Sequence, residues 1–533
     1  MRPSTKAWSF DGSRASWLAA LLAGAIAAAL YVRTLHPGVG PYLDSIEYQL
    51  TTLVMGVSHP PGYPLFTFLG RLFVLLPINN PAYRLNLFCA LCSVVTVVLV
   101  GRITYRLTRR TLLALFSALT LAFAVRFWYQ ALYSELYPLN GTLIAATLLA
   151  LVTWMESRHP AFYFLSAALY ALNFGVNAPA IVLLPMWLWA VLTTDPRMLT
   201  RPRNLALTAL IVLAAAAQYL YVPLRAFQQP RFCNYCPSTW AEVPAFLTGR
   251  EWWGIAFGVQ PRYYLQRWAD SGYQLMLQFW PLGVGLGAVG LWNLLRQRTR
   301  LGVTFLLGLI GEWFFVVSYD VVDWADFMHP VYILTAPLIG VGLGEVWATL
   351  SHGMARWPRP ARSAALGLVA LALAGLLLAT AFNNLPLVDQ SQNTTWHAWA
   401  RDLLAQMEPG AWLLTPPLPT DGFVQSWALR YVSWAENRVP EMSVVYLPGL
   451  DPPGPPPGYL RWEEAEPHLA EHPLYVIDLH DERLQEYVLL PILRGDGWTI
   501  GYRVVGQRNA DGTVTPWVSP EEWAEIEGQV IFP

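Results

Sequence analysis

Asp44 and Glu47 stand three residues apart in Pro41-Tyr42-Leu43-Asp44-Ser45-Ile46-Glu47-Tyr48-Gln49. On a helix that spacing puts both carboxylates on one face. Beside a low-dielectric bilayer, such a pair suits general-base work or metal binding, because burial raises the pKa of at least one member. The same spacing fits a capping box, with Asp44 as N-cap and Glu47 as its reciprocal partner, and spacing alone favours the cap. His59 follows in Ser58-His59-Pro60-Pro61-Gly62-Tyr63-Pro64-Leu65, a rigid turn. Its ring could hold a substrate phosphate or satisfy a backbone carbonyl, and the structural role is the one sequence alone favours.

Tyr319-Asp320-Val321-Val322-Asp323-Trp324-Ala325-Asp326-Phe327-Met328-His329-Pro330 is a candidate metal or acid/base cluster, or else a solvated loop. Glu312 lies within an apolar run, where a carboxylate is usually functional or paired. Arg126, at a helix end, reads as a side chain that snorkels to the interface. Cys233-Asn234-Tyr235-Cys236 is predicted to be a disulfide, because its loop faces an oxidising compartment. Cys89 and Cys92 read as packing residues.

The chain of 533 residues is 55% hydrophobic, 14% aromatic and 13% charged. An ordinary soluble domain carries about 25% charged residues. So few charges cannot cover a soluble surface, and apolar runs such as Leu366–Ala381 call for a polytopic membrane protein. A net charge of −1 excludes electrostatic nucleic-acid binding. The sequence holds no phosphate-binding Gly-rich loop and no H-E-x-x-H. Spans are predicted near 15–35, 84–104, 111–128, 135–156, 160–174, 177–194, 204–224, 273–294, 301–318, 329–349 and 363–382, about eleven in all. Leu65–Leu76 is too short to span and is expected to be an interfacial or re-entrant helix.

Arginines set the orientation. Arg2, Lys6 and Arg14 precede the first span, and Arg102 to Arg110, Arg197 to Arg203, Arg296 to Arg300 and Arg356 to Arg362 all fall on one side. The opposite loops 36–83, 129–134 and 319–328 contain Arg71 alone. The expected topology is a multi-pass cell-membrane protein with a cytoplasmic N-terminus and an extracytoplasmic C-terminal domain. Loop 225–272 runs against this bias with Arg225, Arg231, Arg250, Arg262 and Arg267. It reads either as solvated loop charge or as a site for an anionic group.

After Asn384 the composition shifts to Pro, Asp and Glu. Ala411–Thr415, Ser443–Leu447, Leu474–Leu479 and Tyr502–Gly506 are predicted as strands, with helices over Trp396–Met407 and Glu482–Leu493 and a Pro-rich loop at Asp451–Gly458. The expected fold class is an all-α polytopic membrane bundle over 1–383 followed by an extracytoplasmic α/β domain over 384–533.

The opening motif, Asp44-Ser45-Ile46-Glu47, then His59-Pro60-Pro61-Gly62-Tyr63-Pro64-Leu65, then Arg84-Leu85-Asn86-Leu87, resembles that of the protein O-mannosyltransferase-like membrane proteins of the GT-C glycosyltransferase superfamily. Tyr219-Leu220-Tyr221-Val222-Pro223-Leu224-Arg225, Leu247-Thr248-Gly249-Arg250 and Tyr319-Asp320-Val321-Val322-Asp323 continue the likeness. One departure is Gly175-Val176-Asn177-Ala178-Pro179, where relatives are expected to carry a His.

The resemblance implies an inverting enzyme. It would move a sugar, mannose among the candidates, from a polyprenyl-phosphate carrier to a hydroxyl of a protein or glycan acceptor on the outer face. It implies Asp44 as catalytic base and Glu47 as helper. His59, Tyr63, Tyr221, Arg225, Asp320 and Asp323 are the expected substrate contacts, with Arg225 sharing a cavity with Asp44 and gripping phosphate. The resemblance implies no particular cofactor beyond the polyprenyl-phosphate sugar as donor substrate, and Asp44 and Glu47 could hold a divalent metal. The competing readings are a lipid or solute transporter and a non-catalytic envelope assembly protein. Transporters tend to show inverted repeats, and none is visible here.

Overall fold

The computed structural model describes residues 14–40, 42–415, 421–439, 442–447 and 460–533. The charges at Arg2 and Lys6 and the Pro-rich loop Asp451–Gly458 lie outside the described residues. Two compact units share the chain. The first takes residues up to 35, 87–220 and 249–391; the second takes 36–86, 221–248 and 392–533.

In the first unit the apolar runs are helical because a backbone in lipid must satisfy its own polar groups. Among the described residues, eight helices are long and apolar enough to cross a membrane, from Arg14–Arg33 to Arg359–Val388. Thr111–Ala122 and Ala178–Thr194 are shorter apolar segments, and Pro160–Asn173 is a 14-residue helix. The protein is therefore a multi-pass membrane protein. The Tyr264–Gln297 helix kinks where Trp280 takes φ 57° ahead of Pro281. Arg126 forms an ion pair with Asp326 instead of simply snorkelling. Glu312 is buried within Thr299–Ser318.

The second unit contains a mixed sheet. Its strands are β1 (Trp412–Thr415), β2 (Ser443–Tyr446), β3 (Leu460–Arg461), β4 (Leu474–Val476), β5 (Tyr487–Leu493), β6 (Thr499–Arg508) and β7 (Val514–Pro516). The order is β3-β2-β1-β4-β6-β5, with β7 also on β6. β1 pairs in parallel with β2 and β4, while β4 and β5 pair antiparallel with β6. Side chains alternate between faces. Leu413, Val444 and Tyr475 enter one apolar cluster, and Leu414, Val445 and Leu474 enter the other.

The first of those clusters also takes Ile46 and Leu50 of the Leu43–Val54 helix, together with Trp427 and Tyr431 of the Asp421–Glu436 helix. The Leu43–Val54 helix is thus anchored on the α/β core. The predicted helix over Glu482–Leu493 is not found. Glu482–Glu486 is a 3-10 turn and Tyr487–Leu493 is a strand. Pro491 would break a helix interior, and its missing N–H is tolerated on the edge strand it occupies.

Candidate active site

The Leu43–Val54 helix begins after Tyr42, which takes the N-cap position in extended geometry. Asp44 therefore sits inside the first turn, and the expected capping box does not form. Glu47 turns instead to the His59 turn. Its Oε1 accepts the His59 backbone N–H at 2.5 Å, and its Oε2 lies 2.7 Å from His59 Nδ1. With Nδ1–H donating to Glu47, Nε2 accepts the Tyr63 hydroxyl at 2.9 Å. Two donors on one residue hold the Glu47 carboxylate more firmly than its own helix start could.

Burial separates the two carboxylates. The Glu47 side chain is 1% exposed and His59 is 15% exposed, while Asp44 is half-buried. Ligand atoms of Asp44, Glu47 and His59 all lie within 4.8 Å of one another. Two carboxylates and an imidazole are a donor set that suits a divalent cation such as Zn²⁺ or Mn²⁺.

The turn carrying His59 is braced from both sides. Gly62 has φ 94°, a conformation other residues rarely adopt. Val57 N–H donates to Phe232 O at 3.2 Å, and Asn234 N–H donates to Val57 O at 2.9 Å. That partner segment is closed by the Cys233–Cys236 disulfide, with Cα atoms 5.7 Å apart. Upstream, Asn86 Nδ2 donates to the His36 and Gly38 carbonyls, each at 3.0 Å, and Gln49 Nε2 donates to Asn86 Oδ1 at 3.2 Å. Burial pushes the His36 imidazole down to about 4, so near neutral pH it is uncharged and its Nδ1 can accept the Gly38 N–H at 3.3 Å. Gln49 and Asn86 were not foreseen as supports. The Asn86 amide sits in an apolar helical run, which is the signal that could have drawn notice.

Arg225 and Tyr221 are not brought to Asp44. Arg225 Nε donates to Met55 O at 2.6 Å and Nη2 to Val54 O at 3.2 Å, while Nη1 reaches Gln228 Oε1 at 2.9 Å. The Tyr221 hydroxyl donates to Gly56 O at 2.7 Å. Arg71 reaches Thr52 O and Leu53 O. These groups satisfy the orphan carbonyls and negative dipole end of the site helix. At 1.5 Å rise per residue that end is about 15 Å from Asp44.

Asp320 and Asp323 belong to the first unit. Asp320 borders a cavity there and lies 3.8 Å from Arg267. The Asp323 carbonyl accepts the Asp326 N–H at 2.8 Å.

The helical membrane unit and the mixed-sheet domain together define a GT-C-like fold. The chain superposes on ArnT from Cupriavidus metallidurans, solved with undecaprenyl phosphate, at a TM-score of 0.60 and 16% identity over 91% of this chain and 97% of that one. The apo form of the same protein gives 0.59.

More particularly, the family model described as the protein O-mannosyl-transferase TMEM260 N-terminal domain matches residues 44–200. The chain is 24% identical to protein O-mannosyl-transferase TMEM260 of Mus musculus, over 96% of this chain and 77% of that protein. It is 22% identical to the Dictyostelium discoideum protein of the same name, over 54% of this chain and 38% of that one. The resemblance carried by the opening motif is the one these comparisons return.

Proposed function

We propose that the protein is a membrane glycosyltransferase that moves a sugar, mannose by analogy with its relatives, from a polyprenyl phosphate to an acceptor hydroxyl at the outer membrane face. The observation that carries this reading is the Asp44–Glu47–His59 cluster, in which Glu47 is buried and locked to His59 and Asp44 is half-buried beside them. The likeness to two O-mannosyl-transferases and to the fold of ArnT supports it.

Asp44 takes the proton of the acceptor hydroxyl as that oxygen bonds to the anomeric carbon. The bond from that carbon to the phosphate oxygen breaks, its electron pair leaves with the polyprenyl phosphate, and the configuration inverts. Glu47, locked to His59 by two hydrogen bonds, positions the turn beside Asp44. Asp44, Glu47 and His59 are also the residues that would hold a divalent cation, whose charge would help neutralise the departing phosphate. Arg225 enters this reading through the carbonyls it caps, as a positioning residue for the site helix. Asp323 is retained as a proposed substrate contact.

The test is transfer by the full-length protein in liposomes from polyprenyl-phosphate mannose to a hydroxyl-bearing peptide, with the linkage read by NMR. The expected product has the opposite anomeric configuration to the donor. A product of retained configuration overturns the single displacement, and no transfer from any polyprenyl-phosphate sugar overturns the enzyme reading. Orientation is proposed from the arginine bias. Protease applied to the outer face of intact cells should remove the chain beyond residue 384, and complete protection would refute the topology.

A further inference from the structure

The first unit holds a polar cavity of about 360 Å³ that the mechanism above does not use. Gln260, Tyr263, Arg267, Asp270, Asp320 and Trp324 line it. The Arg267 side chain is only 16% exposed. Its nearest carboxylate oxygen, Asp320 Oδ1, is 3.8 Å from Nη2, too far for a hydrogen bond. The Trp324 ring lies 4.9 Å from the guanidinium carbon. Nη1 is buried and, among the described residues, has no hydrogen-bond partner. A buried guanidinium with unfilled donors is costly unless something in the cavity supplies acceptors.

The charges around the cavity select the class of ligand. An inorganic or lipid phosphate would satisfy Arg267 but would face the carboxylates of Asp270 and Asp320. A metal ion or an ammonium group would satisfy the carboxylates but would face Arg267. A hydroxyl group both accepts and donates, so a ring bearing several hydroxyls answers both kinds of wall. Tyr263 and Trp324 add aromatic surface for the C–H side of such a ring. The volume lies at the lower end of the range for small-molecule sites.

We infer that this cavity binds a neutral pyranose, with Arg267 donating to its hydroxyl oxygens and Asp270 and Asp320 accepting from its hydroxyl protons. The assignment concerns binding alone and stands whether or not Asp44 is the catalytic base.

Saturation-transfer NMR on the full-length protein in nanodiscs, with methyl α-D-mannopyranoside and methyl β-D-glucopyranoside as probes, tests it. At least one glycoside should bind. Asp270→Asn and Arg267→Met should each weaken that binding about tenfold or more, the scale for losing a hydrogen bond to a charged group. Asp270→Asn leaves shape and volume nearly unchanged and guards against a folding defect in the Arg267 variant. Asp44→Asn should leave binding intact, which separates this inference from the catalytic reading. Phosphate at tenfold excess should fail to displace the glycoside. Binding unchanged by both cavity variants, displacement by phosphate, or no binding of either glycoside would overturn the inference.

Discussion

Asp44→Asn should lower the rate of sugar transfer by about 100-fold or more, the lower range for loss of a general base. The substitution keeps the shape of the side chain and removes its basicity. Asp44 belongs to the first turn of the site helix, while the contacts that hold the neighbouring turn come from Glu47. The variant should therefore remain folded, with an unchanged elution profile and unchanged binding of the lipid donor. An acceptor hydroxyl is a weak nucleophile until a base lies within hydrogen-bond reach, so the loss should fall on turnover rather than on donor affinity. Near-normal turnover in a folded, donor-binding variant would remove Asp44 from the role of base. The half-buried setting of Asp44 beside buried Glu47 makes it the carboxylate with most to lose.

Gly342→Leu should abolish the packing of the first unit. The Tyr264–Gln297 and His329–Gly353 helices approach so closely that a Cβ on Gly342 would sit 2.8 Å from the Leu286 carbonyl carbon and 2.9 Å from the Gly290 amide nitrogen. Those are backbone atoms and cannot rotate away. Small residues at such crossings let membrane helices meet, because van der Waals packing drives their association in lipid. Overpacking usually costs about 1–3 kcal/mol, and a clash with backbone belongs at or above the top of that range. Thermal unfolding of the solubilised protein should show either a large drop in midpoint or no folded species. Gly367→Leu, where an added Cβ meets nothing within 4 Å, is the matched control and should behave like the parent. Equal midpoints for the two variants would show that the helices do not need their close approach.

Much of this architecture is legible residue by residue. Apolar runs such as 204–224 and 363–382 must become helices once in lipid, since no other partner exists for their backbone groups. The strands at Trp412–Thr415 and Ser443–Tyr446 follow from short apolar, β-branched runs. Over Glu482–Leu493 the expected helix gives way to a strand, because Pro491 disfavours a helix interior and Tyr487–Leu493 pairs with Thr499–Arg508. Pairing partners six or more residues away do not register in a local pattern.

The site divides in the same way. The three-residue step between Asp44 and Glu47 put both carboxylates on one helical face before any tertiary contact, and the turn at His59 is written in its prolines and Gly62. Which carboxylate is buried was decided by His59, 12 positions away, folding back to give Glu47 two hydrogen bonds. Arg225 shows the converse: sequence displays its charge but not its partners, and the carbonyls of Val54 and Met55 claimed a guanidinium that looked available for phosphate. Arg267 and Trp324 meet across 57 positions to wall one cavity. Helix and strand follow from the chemistry of neighbouring residues, whereas the state of a charge depends on solvent exclusion and on partners that only the folded chain brings within hydrogen-bond range.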